Sequence, residues 1–442
     1  MPNIVVIGGG FAGTRVAKRL EKQIPPDWHV VLISDENFMI YTPLLCEVAG
    51  ASLLPGHALA PIRKMIRRTR YYRAQVEKID LQQQLVYYRD RERDKTASSM
   101  PYEQLVLACG KNADIGFVDG MQDYALPLKT LGDALHIRNR IIVRLEQAEL
   151  EDDPQRRRTL TTFIIVGGGA SGVEVAGAIA DFLSAAEKYY PRTQDLDSKV
   201  IVLEGGDRLV AEFPGSLGDS AQDSMRKAGI EIHLNSRVSE VTPAGVKTES
   251  GEWIRGGNVI CTIGTVPDPL IQALDIAKQQ GRIRTEPDMS LPGLKNVWAI
   301  GDCAAVVNAH DAVLSPPMAQ FAVRQATQVA DNIIRVLAGK STLPFSYRSP
   351  GQVVSLGHRR AVAHVGSIKL SGFAAWLLWR AVYLSMLPTV LRKIQVFFEW
   401  NLDLLFPRDV TQLHMTRSGQ AQDSDTREQQ AGEEALSKHP PP

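Results

Sequence analysis

The sequence has few cysteines, and no two of them are close together. Only Cys46, Cys109, Cys261 and Cys303 occur in 442 residues, so no CxxC or CxxxxC motif is present. A redox-active dithiol, a cysteine-based zinc knuckle and a secreted disulfide framework are therefore not expected. No metal site is predicted.

An excess of charge of one sign is also lacking. Fifty basic residues against forty-nine acidic ones give a net charge of +1, which argues against a general nucleic-acid binder. A mean hydropathy of −0.12 excludes a multi-span membrane protein, although it allows one membrane-seeking segment. The N-terminus runs from Met1 into an apolar strand and then glycines, so no targeting segment is expected there.

A near-repeat is the strongest positive feature of the sequence. IVVIGGGFAGTRVAKRL (4–20) and FIIVGGGASGVEVAGAIADFL (163–183) each join an apolar strand to a glycine turn and a helical pattern. The turns share the spacing GxGxxG, at Gly8, Gly10, Gly13 and at Gly167, Gly169, Gly172. Such turns bind a pyrophosphate, because the glycines allow close approach and the helix N-terminus supplies N–H donors. Two copies in this context predict two dinucleotide-binding units.

Further apolar runs predict parallel strands covered on both faces. They place the second unit inside the first, so the fold class is α/β, with two nested Rossmann-like dinucleotide-binding domains plus a C-terminal membrane-associating region. Residues 1–150 and 296–345 are predicted to form an FAD-binding domain and residues 159–295 an NADH-binding domain. Residues 151–158 are interpreted as a linker, 346–416 as the C-terminal membrane-anchoring region and 417–442 as a disordered tail.

Polar residues at the ends of the second strands indicate how each ribose is held. Glu204 follows IVL and is expected to accept hydrogen bonds from a ribose, which favours NADH over NADPH, although Arg208 nearby weakens that preference. Ser34 and Asp35 occupy the corresponding place in the first unit. A solvated turn is the alternative interpretation.

Two dinucleotides in one chain suggest an electron relay, with FAD in the first unit and NADH in the second. The late segment AIGDCA (299–304) supports a flavin, because a strand ending in Gly-Asp can present Asp302 to the ribityl chain. The alternative role for Asp302 is a helix N-cap.

At this point the chain resembles the two-dinucleotide-domain flavoprotein oxidoreductases, and among them the type II (single-chain, non-pumping) NADH:quinone oxidoreductases. The resemblance covers about residues 1–410. The matching stretches are YTPLLCEVAG (41–50), ALPLKTLGDALHIRN (125–139), VGGGASGVEVAGAIAD (166–181), YPRTQDLDSKVIVLE (190–204), VWAIGDCA (297–304), PPMAQFAVRQA (316–326) and GFAAWLLWRAVYL (372–384).

The resemblance implies a set of cofactor-binding residues. For FAD these are Gly8, Gly10, Phe11, Ala12 and Gly13 at the diphosphate, Ser34 and Asp35 at the ribose, Val76 at the adenine, Cys109, Gly110, Asp302 and Ala319. For NADH they are Gly167, Gly169, Gly172, Glu204 and Gly264. Cys109 stands where the family has threonine, so we interpret it as a small packing residue.

Two catalytic residues are also implied by the resemblance. Glu174 is expected near the flavin–nicotinamide contact, where it orients nicotinamide or relays protons; the alternative is a first-turn helix acid stabilised by the helix dipole. Gln320 is expected to hydrogen-bond a quinone carbonyl; the alternative is a capping glutamine. Gln325 matches the family's second glutamine, Thr327 replaces a glycine, and Lys369 is a weaker candidate for the quinone head group.

Residues 373–391 contain a single charge, Arg380, among aromatic and aliphatic residues. Their length permits a membrane span, but Arg380 near the middle and Pro388 favour a helix lying in the membrane interface. We expect Trp376, Trp379 and Tyr383 on its apolar face, with Arg380, Arg392 and Lys393 toward lipid head groups. A buried dimer or core helix pair is the alternative.

The sequence therefore predicts a non-electrogenic NADH:quinone oxidoreductase with FAD and NADH as cofactors and a lipid-soluble quinone as acceptor. It is expected as a peripheral protein on the cytoplasmic face of the bacterial cell membrane, with a homodimer possible. A sulfide:quinone reductase would need two cysteines beside the flavin, and only Cys303 is suitably placed. A slow-turnover redox-sensing flavoprotein is the remaining alternative.

Overall fold

The computed structural model describes residues 1–90, 97–193 and 199–413. The predicted disordered tail, 417–442, lies outside these residues. The described residues form two compact units: those within 1–40, 59–112 and 265–349 make unit 1, and those within 41–58, 113–264 and 350–442 make unit 2. These boundaries do not coincide with those of the predicted domains. Residues 41–58 join unit 2, and 265–295 join unit 1.

Unit 1 is built on a six-stranded sheet. Asn3–Ile7 lies at its centre, between parallel strands His29–Ser34 and Gln104–Leu107. Arg70–Arg73 continues the sheet beyond the former strand and Leu294–Ala299 beyond the latter, with Ser290–Leu291 at the edge. Because the inner strands are buried on both faces, they consist of unbroken apolar runs.

The helices of unit 1 are Phe11–Leu20, Ile62–Met65, Pro269–Ala273 and Ala319–Leu337. Its other strands are Phe38–Ile40, Leu59–Pro61, Gln75–Asp80, Leu85–Arg89, Ser98–Pro101, Thr265–Pro267, Lys278–Gln279, Arg282–Arg284, Ala304–Ala305, Val307–Asn308 and Val313–Leu314; Lys111–Ala113 lies at the boundary.

Unit 2 repeats the same arrangement. Phe163–Val166 is central, with parallel neighbours Val200–Leu203 and Asn258–Cys261. Ile230–His233 and Ala125–Pro127 are the outer strands. Both sheets thus have the strand order of a dinucleotide-binding fold, in which ligands bind beyond the carboxyl ends of the central strands.

The helices of unit 2 are Leu45–Ala49, Met121–Tyr124, Leu131–Leu150, Pro154–Thr161, Ala170–Ala186, Gly215–Lys227, Gly372–Met386 and Val390–Leu402. Its other strands are Val238–Thr242, Gly245–Thr248, Trp253–Arg255, Gly351–Ser355, Ala361–Val365 and Ile368–Ser371. The expected linker, 151–158, runs instead into a helix, because the Asp153 side chain caps it and Pro154 occupies its first position.

The C-terminal part of unit 2 is a three-stranded antiparallel sheet followed by two helices. Gly372–Met386 ends before Pro388, and Thr389 caps Val390–Leu402 by accepting from the Arg392 N–H. Among the described residues, none of the helices has both the length and the apolar character needed to cross a membrane.

Candidate active site

The two glycine turns have nearly the same geometry. Gly8 and Gly167 have φ of +110° and +111°, in the region that favours glycine. A Cβ on Gly13 would lie 1.9 Å from the Gly8 carbonyl oxygen, and one on Gly172 would lie 1.8 Å from that of Gly167. These glycines are therefore required by the turn itself.

The middle glycines differ from the others, because a Cβ on Gly10 or Gly169 would meet nothing within 4 Å. Each is the residue just before a helix, at Phe11–Leu20 and at Ala170–Ala186. Open space thus lies beside each helix start, where the first-turn N–H groups have no partner within the helix. This arrangement fits a dinucleotide pyrophosphate in both units.

The remaining predicted FAD residues lie in unit 1, most of them at one edge of its sheet. Phe11 and Ala12 open the first helix, and Ser34 is the last residue of its strand, buried against the turn. A Cβ on Gly9 would come within 2.4 Å of the Ser34 Oγ, so this serine packs on the turn. Asp35 is exposed, and Val76 is half-buried in Gln75–Asp80.

Cys109, Gly110 and Asp302 follow two neighbouring parallel strands, Gln104–Leu107 and Leu294–Ala299. Burial raises the pKa of the Cys109 thiol well above its usual value, as suits a packing residue. Asp302 lies inside a short 3₁₀ turn, Gly301–Cys303, whose N-cap is Ile300. The N-cap alternative for Asp302 is therefore wrong.

Gln325 fixes the turn that carries Asp302. Its buried Oε1 accepts a hydrogen bond of 2.8 Å from the Gly301 N–H. From the sequence alone, Gln325 had no role beyond its place in the family motif. The segment AIGDCA, in which a strand ends in a turn, is the signal that the turn needs a hydrogen-bond acceptor.

Ala319 and Gln320 are the first two residues of the helix Ala319–Leu337, and both are half-buried. The Tyr347 hydroxyl lies 3.5 Å from the Gln320 Oε1. No side chain caps this helix, so the capping alternative for Gln320 is wrong. Its amide is half-exposed at a helix start, where it can meet a ligand.

Glu204 lies against the second glycine turn. Its Oε2 accepts from the Gly168 N–H at 2.6 Å and its Oε1 from the Gly206 N–H at 2.7 Å. Arg208 turns away, donating to the Ala211 carbonyl at 2.9 Å. The carboxylate is thus held rigidly beside the turn, as a ribose acceptor must be.

Gly264 ends the segment after the neighbouring strand, with φ of +81°, and a Cβ there would lie 2.3 Å from the Asp114 carbonyl oxygen. Lys369 donates to the Ser216 Oγ at 3.1 Å on the helix Gly215–Lys227. The structure thus places Lys369, in the strand Ile368–Ser371, against the helix Gly215–Lys227 of the nucleotide-binding fold.

Glu174 is the fifth residue of the helix Ala170–Ala186, which has no acid in its first turn. The first-turn alternative is therefore wrong. The Glu174 Oε1 accepts hydrogen bonds from the Ser355 N–H at 3.1 Å and from the Trp379 indole N–H at 3.2 Å. Burial raises the pKa of Glu174 to about 7, although both hydrogen bonds favour the charged form. It is therefore poised to hold or release a proton near neutral pH.

The cysteines are packing residues. Cys303 is fully buried and its thiol donates to the Ile300 carbonyl at 3.2 Å. Burial raises its pKa to about 11. A neutral, enclosed thiol cannot carry sulfur, so the sulfide:quinone alternative is not favoured.

The C-terminal helices differ from the expected arrangement of aromatics. Trp376, Trp379 and Trp400 are buried in unit 2. The Arg380 guanidinium lies 3.9 Å from the Trp376 ring centroid and 5.2 Å from that of Trp400. The predicted placement of Arg380 toward head groups, and of Trp376 and Trp379 on the outer face, is therefore wrong, because a cation between indoles is stabilised inside.

A different apolar face is exposed on these helices. Val390 is 72% exposed, Phe398 61% and Leu405 77%. Further exposed members are Phe373, Leu377, Met386, Leu391, Ile394, Phe397, Leu402 and Phe406. We call this set the outer apolar face. Six of its members share one face of the helix Val390–Leu402 by their spacing, namely Val390, Leu391, Ile394, Phe397, Phe398 and Leu402. An exposed apolar helix face of this kind marks an interaction surface.

Comparison with known proteins places the chain in a family. Residues 2–326 match the pyridine nucleotide-disulphide oxidoreductase model and residues 350–409 match the NDH2 C-terminal domain. The type II NADH:quinone oxidoreductase Ndh of Mycobacterium tuberculosis is 32% identical over 92% of this chain and 88% of its own length. This chain belongs to the type II NADH:quinone oxidoreductase family.

Two further similarities agree. The demethylphylloquinone reductase NdbB of Synechocystis is 31% identical over 90% of this chain and 95% of its own. The NDH2 of Plasmodium falciparum, solved with NADH, has a TM-score of 0.86 at 18% identity, covering 93% of this chain and 99% of that one. The predicted family, fold class, enzyme class and cofactors FAD and NADH are confirmed.

Proposed function

We propose that this protein oxidises NADH and reduces a membrane quinone through FAD, without pumping protons. The observation that carries the proposal is the pair of matching glycine turns in a chain whose C-terminal part matches the NDH2 C-terminal domain. The overall reaction is NADH + H⁺ + quinone → NAD⁺ + quinol. One proton must be supplied besides the hydride.

The positions of the side chains support a proposed role for each. The turn at Gly8–Gly13 and Asp302 would hold FAD, which supplies hydride acceptance at N5 and passes two electrons on. The turn at Gly167–Gly172 and Glu204 would hold NADH. Gln320 would donate its amide N–H to a quinone carbonyl, and Glu174 would hold the proton that the quinone takes up.

We further propose that the protein binds the membrane surface through its outer apolar face, on the side that carries the NADH pool, which is the cytoplasmic face in a bacterium. A lipid-soluble substrate favours an enzyme at the bilayer, and exposed leucine and phenylalanine side chains suit the interface. The homodimer stays a prediction.

Steady-state assays test the proposal. Purified protein supplemented with FAD should consume NADH rapidly only when a short-chain quinone is present. The variant L391E/F398E should keep this activity but lose co-sedimentation with vesicles containing anionic lipid. L150E, which alters an exposed leucine outside the outer apolar face, should sediment as before. A protein that binds FAD and NADH but shows no NADH oxidation with any quinone would contradict the enzymatic role.

A further inference from the structure

A small cavity inside unit 2 is lined by several ionisable side chains, and of these the proposed reaction uses only Glu174. It has a volume of about 30 Å³, which is room for about two water molecules. Its charged lining consists of Glu47, Glu174, Asp181, Asp403, Arg380 and Arg408. We call it the carboxyl cavity.

Two tryptophans in mutual contact bind two of these acids. The Trp400 indole N–H donates to the Glu47 Oε2 at 2.5 Å, as Trp379 donates to Glu174. The two indole rings lie 5.5 Å apart. Glu47 and Glu174 therefore line the same cavity, and each is hydrogen-bonded to one of two indoles that contact each other.

The other two acids are paired with cations. Asp181 lies 2.7 Å from Arg360 and 3.9 Å from Arg408, and Asp403 lies 3.6 Å from Arg408. No cationic side chain of the described residues forms an ion pair with Glu47 within 4.0 Å. Arg380 acts on it from a greater distance. Arg408 also acts on Glu47 without forming an ion pair with it. Glu174 likewise forms no ion pair among the described residues, but it accepts two hydrogen bonds, whereas Glu47 accepts only one. Of these two acids, Glu47 thus has fewer hydrogen bonds to stabilise its charged form.

The surrounding titratable groups do not supply the missing charge. Burial raises the pKa values of the Cys46 thiol and the Tyr383 hydroxyl and lowers that of His358, so all three are neutral near pH 7. Arg359 also acts on Arg380 and His358, but it is exposed and screened by solvent. Four carboxyls thus face Arg360, Arg380 and Arg408, and one proton makes the group neutral.

We propose that Glu47 holds this proton in the resting enzyme and supplies it, by way of the cavity and Glu174, to the quinone. The proposal rests on the proposed function. The O–H bond of the Glu47 carboxyl breaks, a quinol O–H bond forms, and solvent reprotonates the carboxylate; the two electrons come from NADH. Glu47 acts through Glu174 and does not itself contact the quinone, so its role is to hold the proton in position for transfer. Consistently, burial raises the pKa of Glu47 to about 8, which the Trp400 hydrogen bond only partly offsets.

The test compares native protein with E47Q, which keeps an oxygen acceptor for Trp400 but cannot release a proton. Anaerobic stopped-flow should show unchanged flavin reduction by NADH, whereas reoxidation by quinone should slow by about tenfold or more. In native protein the reoxidation rate should fall as pH rises through about 8, and E47Q should lose this limb. Infrared spectra should show a protonated carboxyl band that titrates over the same range in native protein and is absent from E47Q.

The matched control is E399Q, which neutralises another largely buried acid of unit 2, paired with His57. It should keep both the alkaline limb and the infrared band. The proposal is overturned if E47Q reoxidises at the native rate, or if native protein has no such band. Absence of quinone-dependent reoxidation in native protein would instead contradict the proposed function as well, and the two failures are thereby distinguished.

Discussion

The sheets of units 1 and 2 carry the same glycine turn but surround it differently. In unit 1 the second strand ends at Ser34, a neutral side chain packed on the turn, whereas in unit 2 it leads to Glu204, which accepts from two loop N–H groups. The helix after the first turn is tied to a second helix by Arg19 and Asp331 at 2.6 Å. The helix after the second turn instead presents Glu174 to Ser355 and Trp379.

The difference indicates that the turn determines only that a pyrophosphate binds. We propose that the side chain at the strand end selects the nucleotide, and that the outward face of the following helix determines which chemistry lies near it. A duplicated fold can thus hold two cofactors with separate tasks, which is what an electron relay requires.

The largest effects should come from substituting the glycines at which the turns leave no room for a side chain. G13A places a Cβ against the Gly8 carbonyl and should abolish FAD binding, giving a colourless protein. G172A should leave FAD bound and raise the KM for NADH by about 100-fold or more, because only the second pyrophosphate site is damaged. Absorption spectra and steady-state kinetics separate the two. Loss of flavin from G172A would break the assignment of one cofactor to each turn.

A smaller effect is expected at the strand end of unit 2. E204Q removes the negative charge beside the turn, so the KM for NADH should rise by about tenfold and the preference over NADPH should shrink. E212Q, at an exposed acid nearby, serves as the control. Unchanged discrimination in E204Q would mean that Glu204 only supports the loop.

A third prediction concerns the support of Asp302. Q325L leaves the Gly301 N–H without its acceptor, which costs about 1–3 kcal/mol. Flavin should therefore dissociate faster, as measured by fluorescence on dilution. Q328L alters a half-buried glutamine of the same helix that bonds Asn332, and it should retain FAD. Equal retention of FAD by both variants would contradict a role for Gln325 in holding the flavin.

The smallest effect is on stability. The pKa of Glu174 is raised to about 7 in the folded state, so the folded protein binds more protons than the unfolded chain between its ordinary value and pH 7. Stability from this group is therefore lost as pH rises through that window. The Tm of E174Q relative to native should increase by several degrees from about pH 5 to about pH 8. A pH-independent difference would contradict the raised pKa.

Much of this arrangement could be predicted from the sequence where local chemistry admits one solution. The glycine spacing, the buried apolar strands and the position of Glu204 after IVL all specify the turn and its edge. The same holds for the order of the central strands, since each βαβ unit has one favoured hand.

Other features depend on contacts distant in sequence. Trp376, Trp379 and Arg380 look interfacial in isolation, and only the position of Trp400 shows that the cation lies between indoles. The position of Glu174 beyond the first turn was not predicted, because a run of glycines does not define the residue at which the helix begins. The roles of Gln325 and Glu47 required partners 24 and 353 residues away.

An anaerobic titration of the purified holoenzyme tests the electron relay most directly. The flavin absorption should bleach on one equivalent of NADH and return on one equivalent of quinone, while G172A should bleach only at far higher NADH and still return with quinone. A native flavin that bleaches with NADH but stays reduced in the presence of quinone would contradict the relay.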